Sequence, residues 1–241
     1  MPLRFAPRWY FTLLTLAAVL LFVSLGLWQW HRGEYRREQW ASFARSDAPA
    51  VEANVEALQR LPRFTRVRVS GQFDASHQFL LENISHEGQP GYEVLTVLQL
   101  AEGSHLLVNR GWLPFFGYRD RLPDIQLPVS GPQWLTGRLG VLPVPGIAAG
   151  RQPPPMDGSW PRLTTFPTQA ELIAVYGATL LDPVLLLDAD SGPGYLRQWH
   201  APGLSPERHF GYAVQWWAFA ALAVGLYAGL NLKRDSGAPS E

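Results

Sequence analysis

From Trp9 to Trp30 the chain reads WYFTLLTLAAVLLFVSLGLWQW, with no charged side chain. A helix rises 1.5 Å per residue, so about 20 residues cross a hydrocarbon core of roughly 30 Å. Eleven Leu, Val and Phe between Phe11 and Leu27 favour insertion. Ser24-Leu25-Gly26 has the spacing of a signal-peptide cleavage site. The apolar run, however, is longer than a signal core, and bulky Trp28 and Trp30 follow it. The segment is therefore read as a retained anchor, residues 10–30. A second uncharged stretch, Phe210 to Leu232, is long enough to span but carries Gln215 and Asn231 and has fewer strong hydrophobes. Its Gly225 and Gly229 form a small-xxx-small pair that predicts close approach of another helix. Neither stretch has a polar face, which argues against a buried hairpin of a water-soluble protein.

Between the spans, residues 31–209 make one domain. Glu34 to Leu61 mixes charges with Ala and Leu and predicts helix up to Pro62. The period then changes to two. Arg66 to Val69, Phe79 to Glu82, Tyr92 to Leu100, Leu106 to Val108, Gln133 to Leu139 and Val184 to Leu187 read as strands. Gly71, Gly88, Pro90-Gly91, Gly103 and Gly131-Pro132 supply the expected turns. Thr168 with Glu171 makes a capping box, Gly177 stops that helix, and Val141 to Pro161 reads as a loop. The expected fold is an α+β membrane protein: two transmembrane helices flanking a mainly antiparallel sheet or partly closed barrel with one or two helices.

Composition removes several chemistries. Twenty basic and 20 acidic side chains balance, against nucleic-acid binding through bulk positive charge. The absence of cysteine excludes disulfides, thiolate metal sites and a thiol nucleophile. With two methionines, one the initiator, a Met-lined copper carrier is not expected. No nucleophile elbow, phosphate loop or HExxH motif occurs, so an enzyme is not expected. Asp182-Pro183 and Asp188-Ala189-Asp190 read as strand-end and turn acids.

His209 stands at the mouth of the second span. At 100° per residue, His209, Ala213, Trp216 and Ala220 share one stripe, with Trp216 roughly 10 Å below the imidazole. A neutral imidazole over an indole and two alanines suits haem iron and its macrocycle; an interfacial His and an aromatic belt are the plain alternative. Gly225 and Gly229 fall on the opposite side. First-span packing on the glycines would thus leave the stripe open. His31 ends the first span at the same membrane level, which makes a second axial ligand geometrically possible.

The pattern Leu25-Gly26-x-Trp28-Gln29-x-x-Arg32, then Gly71-x-Phe73, Asn109-Arg110-Gly111-Trp112 and His209-x-x-Tyr212-x-x-x-Trp216, resembles the surfeit-locus family of cytochrome c oxidase assembly factors. Arg36 stands where a lysine is expected, and Val97 where a proline is expected. The resemblance implies a non-enzymatic factor that assists delivery of haem a into oxidase subunit I, with a β domain outside the cytoplasm. It implies His209 as haem ligand, with Tyr212 and Trp216 against the ring. Haem a synthase is a further expected partner, and membrane lipid the surrounding medium. The same matched block offers Asn109, Arg110 and Trp112 either as a strand-end turn with a buried Trp or as a docking surface. In the latter, Arg110 pairs an acid or a propionate. A membrane-anchored scaffold that clamps nascent oxidase subunits without haem is the rival reading.

Basic residues alone do not orient the chain. Arg4, Arg8, Lys233 and Arg234 favour cytoplasmic ends, and Arg32, Arg36 and Arg37 oppose them. With the resemblance, both termini (1–9 and 233–241) are expected in the cytoplasm. Residues 1–9 leave no room for a transit peptide, so a bacterial inner membrane is expected.

Overall fold

The computed structural model describes residues 3–44, 48–117, 121–127, 131–144, 150–201 and 203–234. The chain divides into two units, residues 1–41 with 201–241, and 42–200.

The first unit is a helix pair. α1 (Trp9–Ala44) is one unbroken helix, and α4 (Pro206–Asn231) starts with Pro in its first turn, where the missing N–H costs nothing. Both are long and apolar enough to cross a membrane. Leu13, Leu14, Leu16, Leu20 and Leu21 are each more than half exposed, an apolar exterior that fits membrane anchoring. Beyond the helices, β1 (Leu3–Phe5) and β9 (Leu232–Arg234) pair antiparallel, so the two ends are clasped by main-chain hydrogen bonds. Residues 1–2 and 235–241 of the expected tails lie outside the described residues.

The second unit carries a mixed sheet that closes on itself. After β2 (Val51–Glu52) and the short α2 (Val55–Arg60) come β3 (Arg66–His86), β4 (Gln89–Leu100), β5 (His105–Pro114), β6 (Gln133–Gly140), β7 (Arg162–Thr164), α3 (Gln169–Tyr176) and β8 (Leu180–Leu187). The pairings run β3–β4–β5–β8–β6 and return from β6 to β3. The ring is antiparallel except for the parallel step between β5 and β8. Closure rests on β3, whose first residues pair with β6 and whose remainder pairs with β4. The changeover falls at Gly71, and a bulge between Phe73 and Gln78, within the β4-pairing part, bends the strand further. Val67, Val69, Leu98, Leu106, Val108, Leu135 and Leu185 fill one core cluster; Phe79, Leu81, Leu95, Leu107 and Leu172 fill a second.

Several local expectations change here. Helix does not run to Leu61: α1 stops at Ala44, and α2 is a separate helix capped by Asn54. Gly71 and Pro90-Gly91 are strand residues rather than turns. Gly71 is where β3 passes from β6 to β4, and any Cβ there would meet the Gln99 carbonyl at 2.6 Å. The β3–β4 turn is at Glu87-Gly88, both with positive φ. Val97 sits in regular register with Leu107, and proline there would lack the N–H of a ladder residue. The capping box of α3 and the left-handed Gly177 at its end match the expectation. Of the expected loop 141–161, residues 145–149 lie outside the described residues.

Candidate functional site

On α4, Pro206, His209, Ala213 and Ala220 are buried, and on α1 only Gly26 and Gly33 are. These positions define the contact. The small residues of α1 accept aromatic side chains of α4. A Cβ on Gly26 would overlap the Trp217 indole, and one on Gly33 would meet the Phe210 ring at 2.6 Å. Trp30 lies between these rings, 4.8 Å from Phe210 and 5.8 Å from Trp217. Lower in the pair, Thr12 and Tyr227 join hydroxyls at 2.7 Å.

His209 lies within this contact and is 9% exposed. Its Nδ1–H donates to Gln29 Oε1 at 2.8 Å. Because the amide oxygen only accepts, this bond sets the neutral tautomer with the lone pair on Nε2. No described residue hydrogen-bonds Nε2. An imidazole whose second nitrogen is held in this way is the form found in metal-ligating histidines.

The stripe containing His209 is real, but it faces α1. Ala213 is fully buried, and Trp216 stacks on Phe22 at 5.8 Å, so indole and alanine are not an open shelf. Tyr212, 45% exposed, is the aromatic of the trio that remains free at the surface. Gly225 and Gly229 have open space where a Cβ would go, so the first span does not pack on them. Glycines do build the interface, but they belong to α1, because the wide Trp and Phe rings sit on α4. Nor does His31 meet His209. Two residues beyond Gln29 on the same helix is about 200° of rotation, and His31 instead bonds the Leu27 carbonyl on an exposed face.

In the second unit, Asn109-Arg110-Gly111-Trp112 is not a strand-end turn. It lies inside β5, with Asn109 3% and Arg110 1% exposed. Gly111 has φ +108°, and a Cβ would meet the Leu196 carbonyl at 2.7 Å, so this close approach to the following chain requires glycine. Trp112 Nε1–H donates to the Ile84 carbonyl at 3.0 Å. Buried in this way, Asn109 and Arg110 organise the barrel and offer no docking surface.

The SURF1 family model matches residues 16–221, from inside α1 to inside α4. The chain belongs to the SURF1 family. This family is associated with cytochrome c oxidase assembly, and its members are assembly factors rather than enzymes as a rule. No curated protein matches the chain. The match takes in the four motifs read from the sequence and the whole barrel, so the SURF1 architecture here is a helix pair plus a closed mixed sheet. Gln29 and Gly26 lay within the quoted motif and Gly33 directly after it, yet nothing local marked them as partners of His209, Trp217 and Phe210. That pairing exists only once the helices meet.

A half-buried carboxyl gives this SURF1 domain a pH signature. Glu93 accepts from Asn109 Nδ2 at 2.8 Å. Burial pushes its pKa above the ordinary carboxylate range, and the Asn109 bond pulls it part of the way back. A raised folded-state pKa means that the fold prefers the protonated acid. The stabilisation is therefore complete in acid and is lost as pH rises through the folded pKa. Glu93→Gln, which keeps an acceptor for Asn109, is expected to raise the melting temperature at pH 7 by about 2–4 °C and to leave it unchanged near pH 4. An equal shift at both pH values would assign the effect to packing instead.

Proposed function

We propose that this SURF1-family chain holds haem a for a short time at its helix pair and passes it to oxidase subunit I. The reading rests on one observation: Gln29 fixes the His209 tautomer and leaves Nε2 as an oriented donor at the mouth of α4. The donor set fits haem iron, which a single axial imidazole can hold. Tyr212, one turn on, is available to contact the ring edge. Trp216, packed on Phe22, stiffens the donor helix rather than seating the cargo. One protein donor, instead of two, suits a cargo that must leave again. In this reading residues 31–209 lie outside the cytoplasm, both termini lie inside, the membrane is a bacterial inner membrane, and haem a synthase is the source.

The test is the haem a content of the chain purified after co-expression with haem a synthesis. His209→Ala is expected to lower retained haem about tenfold, roughly 1.4 kcal/mol of lost affinity, without lowering the yield of folded protein. Gln29→Leu is expected to lower it less, since the donor remains but loses its orientation. Unchanged retention in His209→Ala sinks the reading. The 9% exposure of His209 favours a second reading, a scaffold that clamps oxidase subunits without haem. Co-purification with subunit I but without haem is the result that selects it.

A further inference from the structure

We propose that His77, on the β domain, is a second and weaker iron-ligand site for a haem-type tetrapyrrole; this rests on the reading that the chain handles haem. The bulge between Phe73 and Gln78 lifts residues 74–77 out of the β3–β4 ladder. There Asp74, its side chain 12% exposed, is held on both oxygens. Oδ1 accepts the Ser76 N–H at 3.0 Å, and Oδ2 accepts the Tyr176 hydroxyl at 3.3 Å and His77 Nδ1–H at 2.8 Å. The carboxylate therefore fixes the imidazole tautomer and strengthens Nε2 as a donor. No described residue hydrogen-bonds Nε2, and the His77 side chain is 37% exposed. The ring stands edge-on to Trp160 at 4.7 Å and to Tyr176 at 5.5 Å, so turning it away would break both contacts as well as the Asp74 bond.

The ligand class follows from what is missing. Among the described residues no group of three His, Cys, Asp or Glu is arranged to hold a metal ion. A bare divalent cation would have to be held by one imidazole against water. Tetrapyrrole iron brings four nitrogens of its own and needs only an axial donor with apolar, aromatic surroundings, which Trp160 and Tyr176 supply. The other histidines differ. His86 leans on Trp112, with Glu87 4.0 Å from its Nε2, and His105 packs edge-on to the Tyr176 ring at 5.3 Å. His77 alone among the described histidines has its Nδ1 on a carboxylate.

Hemin titration of the full chain in detergent, followed by the Soret band, tests the site. The wild type is expected to show a tight and a weaker phase. His209→Ala should lack the tight one, and His77→Ala should lack the weaker one, with its affinity falling at least tenfold. In a chain without cysteine, His77→Cys should shift the weaker phase to a thiolate-type Soret spectrum, a change that lost packing alone would not produce. That signature also decides the matter if His77→Ala folds poorly. A weaker phase that survives His77→Ala, or one lost equally in the exposed His200→Ala, overturns the proposal. So does tight binding of zinc chloride alone at His77. Loss of the tight phase alone from the wild type would defeat the His209 reading and leave this one standing, so the two fail separately.

Discussion

Gly26→Leu is expected to break the helix pair. The Trp217 indole lies directly over Gly26, and the Phe210 ring lies over Gly33 two turns away, with Trp30 interleaved. In lipid the outer medium is as apolar as the contact. Association therefore rests on close packing and interhelical hydrogen bonds rather than on hydrophobic burial. An isobutyl group in place of the Gly26 hydrogen forces out the indole or separates the helices. Overpacking of this kind costs about 1–3 kcal/mol and more where rings cannot move. Separation would also pull Gln29 from His209, so the tautomer lock is lost together with the packing. The expected result is a fall in detergent melting temperature and a polydisperse preparation. Gly225→Leu, on the open face, should behave as wild type in both measurements. If Gly225→Leu fails and Gly26→Leu does not, the contact face has been assigned to the wrong side of α4.

Arg110→Met is expected to be the most destabilising single change in the β domain. Arg110 is 1% exposed, and its guanidinium donates to Gln78 Oε1 at 2.7 Å, to the Ile125 carbonyl at 3.2 Å and to the Pro193 carbonyl at 3.2 Å. It also lies over the Tyr195 ring at 5.2 Å. Burial holds its pKa below the ordinary arginine value, but three oriented acceptors and the ring support the charge. Methionine would fill much of the volume and satisfy none of the acceptors. Gln78 still receives the Thr96 hydroxyl at 3.0 Å, whereas the two carbonyls are left bare. At about 1–3 kcal/mol for each orphaned buried group, the loss is on the order of 4 kcal/mol. Arg110→Lys should lose about half as much, because one ammonium cannot serve acceptors fanned around a planar fork. Urea unfolding of the chain, followed by far-ultraviolet circular dichroism, measures both. Wild-type stability in Arg110→Met would return Arg110 to the role of a ligand or docking residue.

Both predictions concern residues inside the sequence motifs: Gly26 carried no role there, and Arg110 was read as part of a strand-end turn or a docking surface. Runs of uncharged residues over Trp9–Trp30 and Phe210–Leu232 were enough to place two membrane-length helices, because helix length and apolarity are local properties. The Thr168–Glu171 box and Gly177 placed α3 for the same reason, since its hydrogen bonds close within nine residues. Period-two alternation located the main strands. It could not show that β3 serves both β4 and β6, because closure depends on where a bend falls and on which edges then meet. Helix faces were legible as stripes, but not which stripe meets the partner: His209, Ala213 and Ala220 turned out to be the contact, and Gly225 and Gly229 the open side. Nothing local ties Asp74 to Tyr176, 102 residues on, or Gln29 to His209, 180 residues on. Periodicity and end signals act within one turn or one strand, so the two long helices, α3 and the main strands were legible along the chain, whereas the break at Ala44 and the strand course through Gly71 and Gly91 were not. Which donor meets which acceptor is set by packing between elements far apart in the chain, and it exists only in the folded molecule.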